Sequence, residues 1–226
     1  MDEKYATIDK TSPGVPDIKW IEEQISHCSD LEFCQKLTNT LDILKSCLAK
    51  YQCSLSFNGG KDCTVLLFLI KSLADIPILV VEEPKWKEVD DFIDFCSEYY
   101  SMPMTKSKQA MKLALESFLI EHPSTAIFLG TRLGDPHTDG LTIEQPTDNG
   151  WPKITRLNPI MDWKYHDIWK CIRLLRIPYC RLYDQGYTSI GSPLKTKKNE
   201  HLLITEDFWL PAHALEDETT ERCGRC

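Results

Sequence analysis

The sequence predicts an α/β fold: a three-layer molecule with a mostly parallel, twisted sheet flanked by helices. Helices are expected ahead of the sheet and an irregular tail after it. Three observations carry this. Across residues 52–129, short apolar stretches alternate with amphipathic stretches of helical length, the order that builds parallel strands joined by right-handed crossovers. The stretch 76–81 (IPILVV) is apolar almost throughout, as expected of a strand covered on both faces. A turn containing Gly59 and Gly60 joins a strand to a helix, an arrangement that brings backbone N–H groups to a ligand at a helix start.

In chain order, residues 1–16 carry Pro13, Gly14 and Pro16 and read as a flexible arm. A helix is expected from near Asp17, with Ile18, Ile21 and Ile25 on one face. A longer one follows Asp30, where Leu31, Cys34, Leu37, Leu41, Leu44 and Leu48 recur at helical spacing. Both read as packing elements. Strands are expected at 52–57, 76–81, 102–105, 126–129 and 154–157, and helices at 62–74, 86–100, 109–120 and 164–176. Residues 133–152 lack apolar periodicity and are rich in Asp, Thr, Gly and Pro; a loop this long in a compact domain is expected to be functional. The tail from Pro178 looks irregular, with basic-polar segments at 195–198 and 221–225. With no repeat and no linker, residues 1–226 read as one domain.

Composition narrows the function classes. The net charge of −8 argues against a general nucleic-acid binder. An anionic substrate would need local help from a helix end, a few arginines or Mg²⁺. The ten cysteines are scattered, many in apolar helical contexts such as Cys47, Cys96 and Cys171, as in a chain kept reduced. Cys223 and Cys226 form a lone C-x-x-C pair, too few ligands for structural zinc. The polar, acidic start is unlike a signal peptide, and the apolar run 65–70 is too short to span a bilayer. A cytoplasmic monomer with no membrane or nucleic-acid partner is the expectation.

The chemistry concentrates in four stretches. Ser56-Phe57-Asn58-Gly59-Gly60-Lys61-Asp62-Cys63 is neither a Walker loop nor a dinucleotide fingerprint. Gly130-Thr131-Arg132 ends a strand, and the carboxyl ends of parallel strands are where ligands bind, so the two stretches are expected to share a crevice. The others are 147–163, containing Asp148, Trp151, Arg156, Asn158 and Asp162, and the segment 183–191 with the closing Glu221-Arg222-Cys223-Gly224-Arg225. No Ser/His/Asp constellation or H-E-x-x-H spacing occurs.

The loop at 56–63 resembles the pyrophosphate loop of enzymes that split ATP between the α and β phosphates, in the variant found in phosphoadenylylsulfate reductases and eukaryotic FAD synthases. Residues 130–136 are similar to the G-x-R-x-x-D-P segment of FAD synthases. Residues 147–152 and 156–163 are similar to that family's T-D-x-x-W-P and R-x-x-P-[IL]-x-x-W, and the tail fits E-R-x-G-R. Together these cover residues 54–225. Vertebrate members of that family often carry a molybdopterin-type domain as well, for which this chain is too short, so a stand-alone synthase is expected.

The resemblance implies FMN + ATP → FAD + pyrophosphate with Mg²⁺, by attack of the FMN phosphate on the ATP α-phosphorus. It leaves open whether FAD is retained. It implies that Ser56, Phe57, Asn58, Gly59, Gly60, Lys61, Asp62, Gly130 and Arg132 bind ATP, with Asp62 as Mg²⁺ ligand or backbone organiser and the carboxylate that holds the ion left open. Asp135, Trp151, Arg156, Asn158 and Asp162 would bind the flavin: Asp135 accepting from its pyrimidine end, Trp151 walling the ring, Arg156 pairing with the FMN phosphate or bracing Asp135. Asn58, Asp62, Arg222 and Arg225 would be catalytic, the two arginines on a mobile tail closing over the triphosphate. Trp163 and Trp169 read as core, Asp148 as turn or ligand alike, residues 195–198 as a solvated loop, and Cys63 as uninvolved. The alternative is a phosphoadenylylsulfate reductase with Cys223 as its reactive thiol, although Arg222 interrupts that family's Glu-Cys-Gly.

Overall fold

The structure is a computed structural model and describes residues 14, 17–82, 86–136 and 138–225. The expected arm at 1–16, Gly14 apart, and Cys226 lie outside the described residues. Two helices precede the sheet: α1 (Ile18–His27) and α2 (Leu31–Lys50). Each starts where the sequence offers an aspartate: Asp17 Oδ1 accepts from the Lys19 amide at 2.9 Å and Asp30 Oδ1 from Phe33 at 3.1 Å, satisfying N–H groups that lack helical acceptors.

The alternation then appears as read: β1 (Cys53–Ser56), α3 (Lys61–Lys71), β2 (Ile78–Val81), α4 (Lys87–Tyr99), β3 (Met104–Ser107), α5 (Met111–Glu121), β4 (Ala126–Phe128), β5 (Glu144–Pro146), β6 (Thr155–Leu157) and α6 (Tyr165–Leu174). The sheet order is β3-β2-β1-β4-β6-β5, parallel except for β5. Alternation along the strands splits the core. Leu55, Ile78, Val80, Ala126 and Phe128 face the helices on one side, while Leu79, Val81 and Ile127 face α5 on the other. α3 is buried from Cys63 to Ile70, which explains why its pattern is apolar all round.

Three expectations shift. β3 lies about two residues later than read, its register fixed by pairing Ile78 with Met104 because the polar half of Met-Thr-Lys-Ser is tolerated at a sheet edge. β5 emerges inside the loop 133–152, with Gln145 opposite Arg156; a Glu-Gln-Pro strand has no apolar alternation to announce it, and an edge accepts its proline. The tail contains a small hairpin, β7 (Leu203–Thr205) and β8 (Phe208–Trp209).

Candidate active site

The chain runs outward from β1 to β2 to β3, then returns to place β4 on the other side of β1. The crevice at the carboxyl ends of β1 and β4 is therefore the switch point where open α/β sheets bind ligands. Both glycine stretches end there. Gly59 has φ +75°, a conformation that side chains resist, and a Cβ on it would sit 3.0 Å from Val89 Cγ1. A Cβ on Gly130 would come within 2.8 Å of Cys63 Sγ and 2.9 Å of Cys63 N, so only glycine lets β4's extension pass over the start of α3. Asn58 Oδ1 accepts from the Gly60 amide at 2.9 Å and shapes the turn.

Beneath the loop lies a buried ionic cluster. Lys61 is 2% exposed; its Nζ lies 2.5 Å from Glu221 Oε1 and 3.1 Å from Asp62 Oδ2, against the Tyr165 and Tyr183 rings. Arg132 NH2 donates to both Glu221 oxygens at 2.7 and 2.8 Å, and its Nε stands 2.6 Å from Asp62 Oδ1. That last contact is an ion pair out of hydrogen-bond alignment, since neither atom has a hydrogen-bond partner. Burial pushes the Asp62 carboxyl up, but Lys61 and Arg132 outweigh it and hold the pKa below its ordinary value. Burial likewise opposes the Arg132 charge, and Asp62 with Glu221 overrides it and raises its pKa. A buried pair survives when each charge is compensated in this way.

The tail, expected to close over the triphosphate, is docked by hydrogen bonds in this structure. Glu221 is part of the cluster. Thr188 Oγ1 donates to its carbonyl at 2.6 Å, and Asn199 Nδ2 donates to Thr188 Oγ1 at 2.9 Å and to the Thr220 carbonyl at 2.8 Å. The Lys197 amide donates to the Gly224 carbonyl at 2.8 Å, and Thr196 bridges Arg225. Residues 195–198, read as solvated, thus form the tail's seat. So fixed, Arg222 donates to Asp135 Oδ1 at 3.0 Å, while Asp135 Oδ2 accepts from the Arg132 amide at 2.9 Å. Arg225 reaches Ser189 Oγ at 3.3 Å; burial and then Arg222 lower its pKa.

Three adjoining cavities result. A central one of 390 Å³ is lined by Ser56, Asn58, Gly60, Asp62, Arg222 and Arg225, with Gly130, Arg132 and Asp135. Through Ser56 and Leu129 it meets an apolar slot of 240 Å³ walled by Trp151, Met111, Leu115 and Ile127, with Arg156 and Asp148 in its lining. Past Arg132, Asp135 and Arg222 it meets a wider cavity of 530 Å³, reaching Asp162 and Trp163.

The residues expected at the flavin therefore part company. Trp151 and Arg156 line the slot, and Asp162 lines the wider cavity on the far side. Asp135 accepts from the Arg132 amide through Oδ2 and from Arg222 through Oδ1, and it lines both the central and the wider cavity, where each oxygen keeps a further lone pair. Arg156 does not brace Asp135; it pairs with Asp148 at 3.1 Å. Asn158 is fully buried, donates to the Thr142 carbonyl at 2.9 Å and lines none of the three cavities. Phe57 is a core side chain, so only its backbone belongs to the loop. The Lys61 ammonium supports Glu221 instead of facing solvent. Trp163 is core, its Nε1 donating to Thr40 Oγ1 at 2.9 Å, and it also walls the wider cavity. Burial, and then Asp62, push the Cys63 thiol up to about 12, leaving it inert. Sequence reasoning gave no role to Glu221 or Tyr183, although the E-R-x-G-R match and the segment 183–191 contained them.

Comparison with known proteins fits this geometry. Residues 105–198 match the phosphoadenosine phosphosulfate reductase domain. Over 208 residues, the chain is 36% identical to a probable FAD synthase of Schizosaccharomyces pombe, covering 84% of this chain and 78% of that one. The chain belongs to the FAD synthase family. A probable FAD synthase of Caenorhabditis elegans is also 36% identical, over 217 residues and 87% of this chain, yet the chain spans 41% of that protein's length. Among solved structures, the FAD synthase fold is matched by Candida glabrata FMN adenylyltransferase in complex with FMN and the ATP analog AMPCPP. The TM-score is 0.85 at 25% identity, over 92% of this chain and 94% of that one.

Proposed function

We propose that the chain transfers the adenylyl group of ATP to the phosphate of FMN, forming FAD and releasing pyrophosphate. The observation that carries the reading is the continuity of an apolar, tryptophan-walled slot with a cationic cavity at a helix start. A planar ring and a phosphate chain are the two halves of each substrate and of the product. Family membership supports the same reading, as does the FMN and AMPCPP complex of the Candida glabrata enzyme.

An oxygen of the FMN phosphate attacks the α-phosphorus in line; the bond to the β-phosphate oxygen breaks and pyrophosphate leaves. No protein nucleophile is required, so catalysis is positioning and charge stabilisation. The loop at Asn58, Gly59 and Gly60, with the α3 amides, holds the departing phosphates. Arg132 stiffens the floor, and Arg222 and Arg225 face the charge that develops on the leaving group. The flavin ring enters the slot against Trp151, with Asp148 and Arg156 offering acceptor and donors to its pyrimidine end.

Mg²⁺ belongs to this proposal. Among the described residues no group of three His, Cys, Asp or Glu gathers. Asp62 Oδ1, however, is a buried acceptor that has no hydrogen bond and is balanced by the Arg132 charge 2.6 Å away, and Mg²⁺ commonly takes one or two carboxylates with substrate phosphates and water. Asp62 fits that place, where the ion would neutralise pyrophosphate. A cytoplasmic monomer is proposed on the same footing; among the described residues no helix is long and apolar enough to cross a membrane. The reductase reading needs a reactive thiol over the substrate, whereas Cys223 is exposed and absent from all three cavity linings. The test is direct: protein, ATP, Mg²⁺ and FMN should yield FAD by chromatography with equimolar pyrophosphate. FAD failing to form would refute the proposal.

A further inference from the structure

The first N–H groups of a helix have no partner within it, and at an anion site they point at the ligand. The Lys61 amide, at the first position of α3, does not. It donates to the Tyr183 hydroxyl at 3.0 Å. That oxygen lies at the wall of the central cavity, 3.9 Å from where a Cβ on Gly60 would be. The Tyr183 ring is fixed. It is 2% exposed, meets Trp169 edge-on at 5.5 Å and Tyr179 at 6.4 Å, and has the Lys61 ammonium 5.9 Å from its centre. No group among the described residues accepts the hydroxyl's own proton.

We propose that Tyr183 contacts the nucleotide directly: its hydroxyl accepts the Lys61 N–H and donates its proton to a pyrophosphate oxygen, carrying the helix start's polarity to the substrate. Chained hydrogen bonds polarise one another, so the hydroxyl is a stronger donor for accepting the amide. Burial, then Asp62, hold the Tyr183 pKa well above its ordinary value, so the proton is there to give. The locked ring argues against the opposite role, in which the hydroxyl merely occupies the phosphate's place and swings away. The inference rests on the adenylyl-transfer reading and adds to it a residue that no stretch of the loop supplies.

The test is Tyr183→Phe in the full chain, which keeps the ring and removes the hydroxyl. Titration calorimetry with inorganic pyrophosphate and Mg²⁺ should show binding weakened about tenfold or more, the scale of one charge-assisted hydrogen bond. The ATP KM should rise with it while the FMN KM stays unchanged. Tyr183→3-fluorotyrosine, whose hydroxyl is the better donor, should bind pyrophosphate more tightly than the parent; this variant keeps the question open to test if the phenylalanine destabilises the fold. Unchanged pyrophosphate affinity in both variants, or tighter binding in Tyr183→Phe, overturns the proposal. Failure of the unsubstituted protein to form FAD would instead remove the transfer reading, with the pyrophosphate titration still reporting on Tyr183.

Discussion

Asp135 shows how one side chain's partners reassign its task. Its two oxygens hold the Arg132 amide and the Arg222 guanidinium, so under the adenylyl-transfer proposal it orients Arg222. Asp135→Ala should therefore lower kcat by about 10², the scale of losing one preorganised donor at a developing charge, with the FMN KM little changed; a raised FMN KM at constant kcat would contradict this. Asp62 makes a second prediction at the same scale. Its folded pKa lies below the ordinary value of 3.8 because Lys61 and Arg132 outweigh burial. A depressed carboxyl contributes stability above its unfolded pKa and loses it as pH falls through the folded one. The melting temperature should drop on acidification below 3.8, and Asp62→Asn should remove that part of the drop; parallel melting curves against pH would refute it.

At the scale of elements, the tail is the instructive case. Gly224 sits where a Cβ would collide with the Lys197 carbonyl. Gly224→Ala should therefore lift the tail from its seat and lower turnover as far as Arg222→Ala does, with little loss of melting temperature. Cys223→Ser should leave turnover unchanged. A dead Cys223→Ser enzyme would revive the reductase reading. The helices, β1, β2 and β4 were legible because burial imposes a period on their residues, and the caps Asp17 and Asp30 marked their starts. β5 and the tail's seat were not. Glu144-Gln145-Pro146 pairs by position at an edge, and residues 195–198 hold the tail through backbone groups that every sequence possesses. The same divide runs through the site: Gly59 and Gly130 declare themselves as glycines, whereas Glu221 acquires its role from Lys61 and Arg132, 160 and 89 residues earlier.

For the whole molecule, the decisive feature is that the two sheet faces are covered unequally. Helices α1 to α4 and α6 pack with one core cluster, while α5 stands on the other with a small one. The thick side holds α3 and the ionic cluster rigid. The thin side leaves α5, β2 and β4 with apolar side chains that the loop after β4 covers through Trp151, and the slot opens in that seam. Under the proposed function, the phosphate centre is thus set by the well-packed face and the ring site by the sparse one. The two should separate experimentally. Trp151→Ala removes one wall of the slot without touching α3, so the FMN KM should rise about tenfold, the scale of one aromatic ring contact. Pyrophosphate affinity and the ATP KM should be unmoved. If Trp151→Ala weakens ATP and leaves FMN alone, the slot takes the adenine, and the flavin must lie across Asp135 in the wider cavity.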